Sequence, residues 1–317
     1  MSLLYQWKVI SIFEVAYYFL IIVASAYPFI KTAKSPVSKF KLFYARFFLI
    51  TFCKLVSGAL LVGYIEQVNK YHDNGTGTIN LNLLIASISL NSVSLGMLTL
   101  MNLFIVKYTE KLKVSADDFQ EKPKAGYSFP LLKVFFPVDA IKHARAGSHL
   151  LAFESLTQKV QIYAIIISVV GAAISNGTGP STQKTARSLL RAGALLYLIS
   201  NFFNAGFIIL KLRAATAGLQ KNLLWFSLSV IPFLTVRIVY NICSAFTFKI
   251  DYNDGFNVNK FTFLFGDWKI FVGVSFVEEC VCILIFTVVC WVVLRQEEFF
   301  FLQRDKLDVE TSSPDQY

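Results

Sequence analysis

The sequence predicts an all-α, polytopic membrane protein, a bundle of seven transmembrane helices with its N-terminus outside and its C-terminus cytoplasmic. Three observations carry this expectation. Seven apolar stretches each approach or exceed the ~20 residues that a helix needs to cross the hydrocarbon core. The 317 residues are 55% hydrophobic and 16% charged, whereas a soluble domain carries about 25% charge. The basic residues also concentrate in alternate connections, which gives the bundle a direction.

The stretches fall at about 9–30, 42–64, 80–106, 159–176, 188–210, 222–247 and 270–294. Residues 1–295 therefore read as one transmembrane domain. The first stretch has a second reading: Lys8, an apolar run and Ala24-Ser25-Ala26 resemble a cleavable secretory signal. Glu14 interrupts that run, and cleavage would leave the lysines of 31–41 outside. A retained helix is therefore favoured. The second stretch carries Arg46 near its inner end and Lys54 near its middle, and the third carries Asn91. The fifth carries Asn201 and Asn204, and the sixth carries Arg237, Tyr240 and Asn241. The seventh carries Glu278 and Glu279. Pro28 and Pro232 can kink their helices.

The connections set the expected orientation. Lysines and arginines crowd 31–41, 107–159 and 211–221, and they are sparse in the other three connections. The crowded set is expected in the cytoplasm. The sequons at Asn74 and Asn176 fall on the opposite side, where glycosylation occurs. The net charge of +10 then fits loops facing anionic lipid and not a nucleic-acid groove. Within 107–158, residues 130–145 mix apolar and basic side chains. They read as an interfacial segment reaching lipid headgroups, with docking of a cytosolic partner as the alternative. Asp254-Gly255 marks a hairpin turn in the loop 248–269. The tail 296–317 is polar and net acidic and is expected to be irregular and cytoplasmic.

An ionisable group at the centre of a membrane helix costs ~2.5–3.5 kcal/mol, so it is expected to be paired and to mark function. Arg237 on a helix running outward and Glu278 and Glu279 on the next helix running back lie at similar depth. An ion pair from Arg237 to Glu279 or Glu278 is expected, with the other carboxylate facing a cavity. Glu14, Lys54, Asn91, Asn201, Asn204, Tyr240 and Asn241 complete a candidate polar cluster in the outer half of the bundle. The same groups could instead only hold helices together.

Several chemistries lack their residues. The histidines, His72, His143 and His149, lie in connections, so neither an intramembrane metal site nor a histidine-activated nucleophile can be assembled at depth. All five cysteines lie in apolar stretches and imply no disulfide framework. No phosphate-binding glycine loop occurs. No enzyme, cofactor or metal is expected, and membrane lipid is the expected surrounding.

The run Trp225, Ile231-Pro232-Phe233, Val236 to Tyr240 and Ser244-Ala245-Phe246 is followed by Phe256-Asn257, Gly266-Asp267-Trp268 and Glu278-Glu279. It resembles an uncharacterised fungal family of seven-helix integral membrane proteins, most specifically across about 222–290. The resemblance implies a seven-helix membrane protein of no settled activity. It is similar in outline to fungal receptor-like proteins and to a lipid-translocating exporter-like family. Three roles stay open: a receptor for a small-molecule or lipid ligand, a small-molecule, lipid or proton-coupled transporter, and a structural or assembly protein. Receptor-like is the leading expectation, in the plasma membrane or an endomembrane.

Overall fold

The computed structural model describes residues 3–34, 40–74, 78–111, 149–175, 179–215, 218–247, 260–261 and 266–312. Seven long helices account for nearly all of them. They are α1 (Leu3–Lys34), α2 (Lys41–Asn74), α3 (Leu81–Lys111), α4 (His149–Ile174), α5 (Pro180–Ala214), α6 (Leu219–Thr247) and α7. The last is built from three pieces: an α-turn at Trp268–Phe271, a π-helical turn at Val272–Phe276 and a long α-helix at Val277–Ser312. No strand occurs among the described residues. All seven helices are long and apolar enough to span a membrane. Their flanks extend past the apolar stretches because polar helix formers such as Lys, Glu and Gln continue a helix once it is nucleated.

That argument also explains a difference at the C-terminal end. The tail expected to be irregular carries helical backbone through Ser312. Its Glu, Gln, Lys and Leu content favours a helix, and the preceding span supplies the nucleus.

Consecutive helices pack side by side, and α7 returns to α1 and α6. α3 takes the central position, touching α2, α4, α5 and α6. Hydrocarbon gives no hydrophobic drive between helices, so close approach and hydrogen bonds must hold them. Gly96 provides one such approach. A Cβ there would lie 2.1 Å from Ile165 Cγ1 and 2.7 Å from the Tyr197 hydroxyl. Gly193 provides another, with Ser168 Oγ only 2.2 Å from the position of a Cβ. These two glycines let α3, α4 and α5 meet almost backbone to side chain.

Tyrosines pin the remaining seams. The Tyr44 hydroxyl donates to the Cys290 carbonyl at 2.6 Å, tying α2 to α7. The Tyr17 hydroxyl donates to the Cys280 carbonyl at 2.7 Å, tying α1 to α7. A core of Phe40, Phe43, Phe47, Phe286 and their neighbours fills the space between α2, α3, α6 and α7. Outward-facing Phe13, Leu20 and Phe202 are more than half exposed, as expected where lipid replaces water.

Candidate functional site

The site lies where α1, α2, α3, α6 and α7 converge. With a rise of 1.5 Å per residue, Glu14 lies about 17 Å along α1 from Leu3, and Asn91 lies about 15 Å along α3 from Leu81. Arg237 is about 15 Å before the end of α6, and Glu279 is about 17 Å past Trp268. Alternating helix direction thus brings four interruptions of four apolar runs to one depth. Lys54 of α2 meets them there.

Lys54 is the hub. Its Nζ contacts both Glu279 carboxylate oxygens at 2.7 Å and donates to Asn91 Oδ1. It lies 3.6 Å from Glu14 Oε1. Arg237 approaches Glu279 from the other side, its Nε donating to Oε2 at 3.4 Å. Its Nη2 donates to Asn91 Oδ1 at 3.5 Å. All four ionisable groups and Asn91 are buried. Two cations face two carboxylates, so the ionised cluster is neutral, and the shared hydrogen bonds offset part of the cost of desolvation.

The two carboxylates differ in how firmly they are held. Glu279 is clamped between Lys54 and Arg237. Glu14 meets Lys54 beyond hydrogen-bond distance and lines a small cavity of about 10 Å³, bounded also by Trp7, Ser11, Ser57, Ser87, Asn91 and Phe271. That volume holds about one water molecule. Trp7 closes this end of the bundle, with its indole Nε1 donating to the Gly266 carbonyl at 3.3 Å and its ring 4.9 Å from that of Phe271. Ser57 and Ser87 each donate to the other's backbone carbonyl, at 2.9 and 3.0 Å, closing α2 on α3 beside the cavity.

The π-helical turn Val272–Phe276 runs between the cavity-lining Phe271 and Glu279. One extra residue per turn rotates all that follows on α7, and such single turns often mark functional sites.

The structure divides the residues singled out in the sequence. It brings Glu14, Lys54, Asn91, Arg237 and Glu279 together. Tyr240 borders them, its ring centroid 6.0 Å from the Arg237 guanidinium carbon. Glu278 is half-buried and does not line this cavity; Glu14 and Asn91 do. Asn241 is also half-buried and takes no part in the cluster's hydrogen bonds. Asn201 donates to Thr235 Oγ1 at 2.9 Å, and neither it nor Asn204 bonds to the charged groups. Asn201 is thus turned to α6, and Asn204 is buried on the same side of α5.

Sequence reasoning missed three features. One is the hub role of Lys54, which is invisible without knowing how α2 is rotated. Another is the serine pair Ser57 and Ser87, signalled only by small polar residues in apolar runs. The third is a second ion pair at the far end of α3, where Lys107 Nζ lies 2.9 Å from the buried Glu154 and donates to Gln158 at 2.8 Å. Asn74 ends α2, and Asn176 lies outside the described residues, as do residues 112–148 and the turn at 254–255.

A family model, a domain of unknown function designated DUF7702, matches residues 131–296. The chain belongs to the DUF7702 family. The DUF7702 region takes in α4, α5, α6 and the apolar part of α7, and so supplies Arg237 and Glu279. Glu14, Lys54 and Asn91 come from the helices before it. No curated protein and no solved structure matches the chain.

Proposed function

We propose that this multi-pass membrane protein is receptor-like and that its ligand engages the charged cluster through the cavity beside Glu14. The observation that carries the reading is the unequal hold on the two carboxylates. Glu279 is ion-paired with both Lys54 and Arg237. Glu14 is buried, faces the cavity and has Lys54 only at 3.6 Å. A donor or cationic group entering there gains a carboxylate without first breaking the Lys54–Glu279 pair. The cavity as it stands takes about one water, so a larger ligand must move Trp7 or the π-helical turn. That movement would change how α1 and α7 pack and carry the signal along the bundle.

In this reading the Trp7 end faces outward, by the positive-inside rule, and the ends of α3 and α5 face the cytoplasm. The segment 107–158 would meet a cytosolic partner or the lipid surface. The membrane would be the plasma membrane or an endomembrane, with Asn74 and Asn176 on the glycosylated side.

The test is thermal stability of the protein in lipid nanodiscs against a panel of small amines and polyols. The reading requires a compound that stabilises the wild type and not Glu14→Gln. No response, or one that Glu14→Gln retains, contradicts it. Transport is the second reading, favoured by one observation: Glu14 and Glu279 both face Lys54, so protonating either one would free the lysine for the other. Its sign is a pH-dependent flux in proteoliposomes that Glu279→Gln abolishes.

A further inference from the structure

On the other side of α3, a second set of buried polar groups has no charge at all. Gln161 of α4 is fully buried, and neither its amide oxygen nor its nitrogen has a hydrogen-bond partner among the described residues. Asn204 of α5 is about 1% exposed and is in the same condition at both amide atoms. Ser200 Oγ and Asn201 Oδ1 are also buried and unpartnered.

These groups lie within about one helical turn of one another in depth. The rings of Phe153 and Phe203 lie 5.1 Å apart, and Gly193 meets Ser168. This antiparallel register sets Gln161 level with Ser200, and Asn204 about one turn further along. Gln161 lies on the buried stripe Glu154, Thr157, Gln161, Ala164 and Ser168. Ser200, Asn201 and Asn204 lie on that of Tyr197 and Phe207. Asn201 bonds Thr235, so α6 closes the layer.

An unpartnered buried amide or hydroxyl costs about 1–3 kcal/mol. Six such atoms within about one helical turn cost too much for packing alone, and apolar side chains would serve packing better. Each amide offers a donor and an acceptor, and no cation or carboxylate is among the four residues. Such a set suits a neutral group that both donates and accepts, and it holds no charge to balance that of an ion.

We propose that this layer is a second intramembrane site, distinct from the charged cluster, which holds a neutral hydroxyl group. The hydroxyl belongs either to water or to the head of a neutral lipid alcohol. A buried water takes about three hydrogen bonds, which the Gln161 and Asn204 amides and Ser200 can supply. A lipid alcohol would enter between the outer faces of α4 and α5.

The test places a reporter at Ser200→Cys in full-length protein in nanodiscs. Labelling by a small water-borne thiosulfonate is read by peptide-resolved mass spectrometry. Ala164→Cys, on the same stripe of α4 in an apolar cluster, is the control. In phospholipid alone, water occupancy predicts that Ser200→Cys labels several-fold faster than Ala164→Cys. Adding Asn204→Leu removes the difference. Lipid occupancy predicts that diacylglycerol or a sterol raises the melting temperature of the wild type, and that Gln161→Leu abolishes the rise. The proposal fails if Ser200→Cys labels no faster than the control and neither lipid alcohol changes the melting temperature. It fails equally if Gln161→Leu and Asn204→Leu leave those responses unchanged.

Discussion

Neutralising Glu279 should damage the protein far more than neutralising Glu14, although both are buried carboxylates in one cluster. Glu279 meets Lys54 at 2.7 Å and Arg237 at 3.4 Å, whereas Glu14 meets only Lys54, at 3.6 Å and without a hydrogen bond. At an effective dielectric of about 20, a unit pair at 2.7 Å is worth about 6 kcal/mol and one at 3.6 Å about 5 kcal/mol before desolvation. The Coulomb difference is therefore small, and what decides is the group left behind. Glu279→Gln leaves two buried cations with only the distant Glu14, and removing one partner of a buried pair costs about 3–5 kcal/mol. Glu14→Gln leaves Lys54 still bonded to Glu279 and Asn91, and the desolvation cost of Glu14 itself disappears. About 1 kcal/mol or less should be lost. The assay is the fraction of monodisperse protein surviving a temperature ramp in nanodiscs, for each single variant and for Lys54→Met/Glu279→Gln. The double variant should recover part of the Glu279→Gln loss, because one of the two cations stranded by that change is gone. Equal losses for the two single variants, or a double variant equal to the sum of its parts, would refute the reasoning.

Gly96→Val should prevent normal assembly of α3, α4 and α5, because its Cβ would overlap Ile165. Gly206→Ala, with nothing within 4 Å, should be neutral or stabilising by up to about 1 kcal/mol; the same thermal ramp separates them. Tyr44→Phe should cost about 0.5–1.5 kcal/mol by removing the hydrogen bond to the Cys290 carbonyl, with the fold retained by circular dichroism. Expression in a glycosylating host should give an Asn74 glycan that Asn74→Gln removes in a gel-shift assay. A glycan introduced into 107–158 would instead reverse the orientation.

What could be read from the sequence followed from length and depth. Seven apolar runs of spanning length allow few folds, since a helix alone satisfies its backbone in lipid without help from neighbours. Depth along an antiparallel pair was enough to place Arg237 beside the adjacent Glu278 and Glu279, not to choose between them. Rotation about each helix axis was not legible. Glu278 and Glu279 differ by ~100°, and the π-helical turn before them resets that angle in a way no periodicity announces. The same limit hid Lys54 as the hub, since its partners depend on which face α2 turns inward. It also merged two layers into one. Asn201 and Asn204 lie near the depth of Arg237, but the rotation of α5 turns Asn201 to Thr235, and neither reaches the charged groups.

A structure in lipid at side-chain resolution tests the central claim most directly. The account predicts continuous density from Lys54 through Glu279 to Arg237, with Asn91 bridging the two cations and Glu14 facing the cavity beside Trp7. Lys54 turned away from Glu279, or Arg237 paired with Glu278 in its place, would contradict it.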